Sequence, residues 1–127
     1  MIVGIGTDII KVERIQKSIE ANPRFGEKLF TPAETAYCES RASKYQSYAA
    51  RFAAKEAVMK ALGTGWNELV HWLNIEIVRE GDGAPKVLLH NETNAFAASL
   101  GIQAIHLSIA HEKEYATAFV VLEKLIS

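Results

Sequence analysis

The hydrophobic period changes along this chain, and that change limits the folds open to it. In the first half, apolar residues recur at helical spacing: Ile9, Val12, Ile15 and Ile19 form one stripe, and Tyr45, Tyr48, Ala49, Phe52 and Met59 form another. In the second half the spacing shortens to two, beginning with Leu73-Asn74-Ile75-Glu76-Ile77. Helical patterns over most of the first half and alternating ones over most of the second predict an α+β class: a mainly antiparallel sheet packed against a long helix.

Punctuation residues set the expected element boundaries. Residues 2–6 read as a short strand and residues 8–21 as a helix that Asn22-Pro23 breaks. Thr31-Pro32-Ala33-Glu34 has the form of a capping box with proline at the first helical position. A longer helix opens near Ser43 and stops before Gly63-Thr64-Gly65. Residues 73–77 and 86–89 read as strands around a Gly81-Asp82-Gly83 turn. Asn91 caps a helix that runs to Leu100 and stops at Gly101, and residues 105–109 and 115–122 form a strand pair.

At 127 residues the chain is read as one domain, 1–127. Its content of 49% hydrophobic and 23% charged residues is that of a globular protein. No apolar run approaches the ~18 residues of a membrane span, and the N-terminus lacks a basic leader, so no membrane association and a cytoplasmic location are expected. One cysteine, Cys38, cannot form an internal disulfide, in keeping with a reducing compartment. Residues 1–60 carry ten Lys/Arg against seven Asp/Glu, a basic half able to face an acidic partner or phosphates. The sequence pI of 6.4 does not support nucleic-acid binding.

The long helix carries the sharpest chemical signal. Glu56 falls in the middle of its apolar stripe, where a carboxylate needs a cation, and Lys60 stands one turn later. An i,i+4 Glu56–Lys60 pair and a metal ligand are both open readings. Asp8 is the second candidate. With strand alternation it shares a face with Gly4 and Gly6, whose missing side chains clear space beside it; read otherwise, it is a helix N-cap. Gly4-Ile5-Gly6 is not a dinucleotide fingerprint, because Ile9 occupies the third glycine position. Cys38 has no base near it in sequence, and His106 and His111 lack metal-ligand spacing. What survives is Asp8 and Glu56 as oxygen ligands with Lys55 and Lys60 as cations, a set suited to Mg²⁺ and phosphate.

These residues also resemble the signatures of a known family. Gly6-Thr7-Asp8 with Arg14 is similar to the first signature of the phosphopantetheinyl transferases. Phe52-Ala53-Ala54-Lys55-Glu56-Ala57-Val58-Met59-Lys60, extended by Arg51 before it and by Gly63-Thr64-Gly65 after it, resembles the second. His106-Leu107-Ser108-Ile109-Ala110-His111 and Tyr115-Ala116-Thr117-Ala118 resemble the closing strand motif, with Ala110 where many members carry serine or threonine. Three blocks in order over nearly the whole chain identify it as resembling the short, trimeric type.

The resemblance implies transfer of 4′-phosphopantetheine from coenzyme A to a serine of acyl carrier protein, giving 3′,5′-ADP, in support of fatty acid biosynthesis. It implies a homotrimer with active sites between subunits. Asp8 and Glu56 would hold Mg²⁺, and Lys60 would neutralise charge on the leaving diphosphate. Arg51, Gly63, Thr64, Gly65, Pro85, Ser108 and His111 would touch the coenzyme. Arg14, Lys17, Arg24 and Lys28 would meet the acidic carrier protein. Glu56, Glu56 through a water, and a metal-bound water remain open as the base. The rival readings are a non-catalytic coenzyme A or nucleotide-binding module and a structural oligomeric domain.

Overall fold

The first strand continues past the point where the sequence predicts a helix. In the computed structural model, which describes residues 1–81 and 83–125, β1 spans Ile2–Lys11 and pairs antiparallel with β5 (Tyr115–Glu123) as far as the Lys11–Tyr115 register. Helix α1 (Val12–Ala21) begins only there. Asp8 is therefore a strand residue and not an N-cap, and Ile9 points away from the helices with 63% of its surface exposed. Ladder hydrogen bonds to β5 outweigh the helical spacing of Ile9, a β-branched residue at home in a strand.

Asn22-Pro23 both ends a helix and starts another. The Asn22 side chain accepts the Arg24 N–H at 3.0 Å, Pro23 takes the first helical position, and α2 runs over Pro23–Leu29. Helix α3 (Pro32–Glu39) opens on the expected capping box: Glu34 N–H donates to Thr31 Oγ1 at 3.2 Å, and Thr31 N–H donates to Glu34 Oε1 at 2.9 Å. Helix α4 (Lys44–Ala61) ends in a Schellman motif, with Thr64 N–H on Met59 O and Gly63 N–H on Lys60 O, each at 3.0 Å. The φ of +79° at Gly63 suits glycine there.

Residues Trp72–Asn74 form a 3₁₀ turn, so β2 starts at Ile75 and not at Leu73. Strand β2 (Ile75–Val78) pairs with β3 (Lys86–Leu89); Gly83 N–H closes the intervening turn on Glu80 O, while Asp82 lies outside the described residues. Helix α5 (Asn91–Ser99) is entered from His90, and the Asn91 side chain donates to Asn74 Oδ1 in place of capping. Gly101, at φ +78°, follows the end of α5 as expected. Strand β4 (Ala104–His111) completes a three-stranded antiparallel sheet in the order β1-β5-β4, with β2-β3 as a separate antiparallel pair.

Helix α4 crosses the inner face of this sheet against β1 and β5. It is buried nearly all round and not along one stripe, because α1, α3 and β2 cover its remaining sides. Ala49, Ala50, Ala53, Ala54 and Ala57 let those neighbours approach. Gly4 and Gly6 do the same from β1: a Cβ on Gly4 would stand 2.1 Å from Ala61 O, and one on Gly6 1.9 Å from Ala57 O. The room these glycines clear is thus filled by the helix backbone, which brings α4 directly against the strand that bears Asp8. On the outer face Ile5, Ile9 and Phe119 are exposed.

Candidate active site

Close contact between β1 and α4 joins two segments about fifty residues apart. Lys60 Nζ donates to Asp8 Oδ1 at 3.1 Å and to Thr7 O at 3.0 Å. The i,i+4 reading is corrected: Lys60 reaches across to the strand, and among the described residues Glu56 has no ion pair. The Asp8 side chain is only 15% exposed, and Glu56 is half-buried near it. Partial burial, and then the Asp8 charge, raise the Glu56 carboxyl above its usual value of 4.5, while Lys60 opposes the shift.

A raised carboxyl means that the folded chain holds the Glu56 proton more tightly than the unfolded chain does. Below the ordinary glutamate range both states are protonated; as pH rises through that range and through the folded pKa, ionisation at Glu56 destabilises the fold. Asp8→Asn should bring the Glu56 pKa down toward the ordinary value and lessen that pH dependence. Side-chain carboxyl NMR titration of the metal-free protein checks this; an unchanged Glu56 pKa would show that the two carboxylates do not interact.

A second group of expected site residues gathers elsewhere. Arg51, Pro85 and His111 line one cleft with Tyr37, Ser47 and Arg79. The Arg51 guanidinium lies 4.0 Å from the Tyr37 ring centroid, and its Nε is buried without a hydrogen-bond partner among the described residues. His111 Nδ1 meets Gln46 Oε1 at 3.1 Å. His111 is on β4, the opposite edge of the sheet from β1, so β5 and about 10 Å separate the two strands. Ser108 is exposed on the outer face, opposite Phe119. One chain therefore brings Asp8, Glu56 and Lys60 together and Arg51, Pro85 and His111 together, but holds the two groups and Ser108 apart.

The turn after α4 offers Thr64 Oγ1, buried and without a partner among the described residues, between Gly63 and Gly65. Arg14, Lys17, Arg24 and Lys28 are all exposed on α1 and α2, with Lys17 held by Glu13 at 2.7 Å. Lys55 does not join Lys60. It is fully buried, with its ammonium donating to Glu34 Oε1, Leu29 O and Trp72 O. Cys38 is buried, and desolvation pushes its thiol up to about 12, which removes it as a nucleophile.

The profile of the 4′-phosphopantetheinyl transferase superfamily matches residues 4–120. The chain belongs to that superfamily. A holo-[acyl-carrier-protein] synthase of Solibacter usitatus is 48% identical over 97% of this chain and 99% of its own length. The crystal structure of the holo-[acyl-carrier-protein] synthase of Neisseria meningitidis matches with a TM-score of 0.90 at 35% identity, covering 98% of this chain and 100% of that one. The Bacillus anthracis synthase, solved in complex with coenzyme A (3′,5′-ADP), matches with a TM-score of 0.82 at 38% identity, covering 98% and 99%. The α+β class and the packing of the long helix on an antiparallel sheet are those of this superfamily.

Sequence reasoning missed Arg79 and Tyr37 in the cleft and the Glu34 partner of Lys55. Nothing local in the sequence points to Arg79, which arrives through the β2–β3 connection. The capping box did flag Glu34, but its second role depends on α3 packing on α4.

Proposed function

We propose that this chain transfers 4′-phosphopantetheine from coenzyme A to a serine hydroxyl of an acyl carrier protein, releasing 3′,5′-ADP. The observation that carries the reading is the contact of Lys60 with Asp8 beside Glu56, which unites the two signature segments of a phosphopantetheinyl transferase. Incubation with coenzyme A, Mg²⁺ and apo carrier protein, followed by mass measurement of the carrier, tests it. An unmodified carrier would defeat it in favour of a coenzyme-binding module.

The donor set fits a magnesium ion. A half-buried carboxylate whose charge is disfavoured by burial, and then by the charge of a second carboxylate, favours a dication. Mg²⁺ takes one or two carboxylates and fills its remaining positions with waters and substrate phosphates. Asp8 and Glu56 would hold it, and when bound it supplies positive charge that polarises the phosphoryl group. The serine oxygen attacks the phosphorus that bears pantetheine, and the bond from that phosphorus to the bridging oxygen of the diphosphate breaks. Glu56 is proposed to take the serine proton, directly or through a water. Lys60 stabilises the negative charge left on 3′,5′-ADP. Arg51, Pro85 and His111 line the cleft that would take the rest of the coenzyme, joined by the Gly63-Thr64-Gly65 turn and by Ser108.

The separation of these groups on one chain supports a homotrimer in which a neighbour completes each site. The exposed Ile5, Ile9 and Phe119 on the outer sheet face are the surface such a neighbour would cover. Light scattering should return three times 14.0 kDa; a fully active monomer at assay concentration would sink the shared site.

The exposed cations of α1 and α2 are read as the carrier-protein surface. Arg14→Ala should raise the KM for carrier protein severalfold and flatten its salt dependence, with the KM for coenzyme A little changed, because exposed charges act mainly on encounter. Steady-state kinetics with each substrate varied at two salt concentrations distinguish this from a defect confined to coenzyme A, which would assign these cations to its phosphates. Among the described residues no helix is long and apolar enough to cross a membrane.

A further inference from the structure

Lys55 is a buried cation that the proposed reaction leaves idle. Its ammonium has three protons and meets three acceptors from three parts of the chain: Leu29 O at the end of α2 at 2.6 Å, Glu34 Oε1 on α3 at 2.7 Å, and Trp72 O in the 3₁₀ turn at 3.0 Å. Glu34 is equally engaged, accepting from Thr31 N through Oε1 and from Ile77 N through Oε2. Both side chains are fully buried. A pair taken so completely from water is seldom a better source of stability than apolar side chains of the same volume. What it supplies is direction.

We propose that Lys55 is a positioning residue, whose ammonium pins the rotation of α4 about its own axis and so the direction in which Glu56 faces Asp8. The sheet side of α4 resists rotation weakly: Lys60 reaches Asp8 and Thr7 from it, but that side chain is 54% exposed. There the helix rests on Gly4 and Gly6 through Ala57 and Ala61, and short side chains offer shallow ridges against turning. The long Lys55 side chain, fully buried and fixed at its tip by three acceptors, supplies the firmer stop. Glu56 is the next residue, so any rotation that Lys55 permits is passed directly to its carboxylate. Side-chain tips lie roughly 5–6 Å from a helix axis, so a turn of about 10° moves that carboxylate by about 1 Å. A displacement of that size costs on the order of 10²-fold in rate at a reacting centre.

This inference rests on Glu56 being a metal ligand, and its test separates the two claims. Lys55→Met removes the anchor; Lys55→Gln, whose amide keeps a donor for Glu34, is carried alongside it. Each is made alone and together with Glu56→Ala, and urea denaturation establishes which are folded. Mn²⁺ affinity in the presence of coenzyme A, from the signal of free Mn²⁺ in electron paramagnetic resonance, is the readout independent of turnover. The folded Lys55 variant should bind Mn²⁺ roughly tenfold more weakly and lose about 10–100-fold in kcat/KM, the range for residues that orient a metal ligand. Added to Glu56→Ala, it should cause no further loss, because it acts through Glu56.

A folded Lys55 variant with unchanged Mn²⁺ affinity, or losses that multiply with those of Glu56→Ala, would overturn the proposal. So would failure of both Lys55 variants to fold, which would make the pair a requirement of the core alone. Unchanged Mn²⁺ binding in Glu56→Ala by itself would instead remove Glu56 from the metal site.

Discussion

Asp8→Ala and Glu56→Ala should each lower kcat/KM for pantetheine transfer by roughly 10³-fold while the urea midpoint hardly moves. Metal charge stabilisation of a phosphoryl transfer is worth several kcal/mol, and each 1.36 kcal/mol is tenfold in rate. Neither side chain holds up the core. The Asp8–Lys60 contact involves a lysine that is 54% exposed, so its loss costs at most about 1 kcal/mol. Removing Glu56 takes away a carboxylate whose ionised form burial disfavours, so that variant should be no less stable than the parent at neutral pH. A chelator should stop the unaltered chain, and Mg²⁺ should restore it. Wild-type turnover in either variant would strike that residue from the ligand set, and indifference to the chelator would remove the metal.

Gly6→Ala should unfold the chain far more readily, although the change adds one methyl group. The new Cβ would meet Ala57 O at 1.9 Å and Ala61 N at 2.8 Å. Both are backbone atoms of α4 and cannot rotate aside, so the helix must lift from β1. Overpacking of this kind costs about 3 kcal/mol or more. For a chain of this size that corresponds to a fall in Tm of roughly 10 °C. Activity should fall by more than the unfolded fraction explains, since the same displacement separates Lys60 and Glu56 from Asp8. Calorimetry beside the transfer assay measures both, and a Tm within about 2 °C of the parent would show that α4 does not depend on this contact.

The sequence by itself determined what depends on near neighbours. The Thr31–Glu34 capping box, the glycine stops at Gly63 and Gly101 and the β5 alternation all act within a few residues, and all stand as the spacing implies. The order of the signature blocks likewise carries the superfamily. Tertiary structure decided what depends on distant partners. Whether residues 8–11 are strand or helix turns on a ladder to β5, more than a hundred residues away, and that ladder overrides the helical spacing of Ile9. Lys55 and Lys60 look alike in sequence. Contacts from α2, α3 and the 3₁₀ turn make one a core anchor, while two glycines on β1 bring the other to Asp8. The distance of His111 from Asp8 follows from the strand order β1-β5-β4, and its grouping with Arg51 from the packing of α4 on that sheet. Periodicity does not encode strand order, because it records which face a residue takes and not which strand lies beside it.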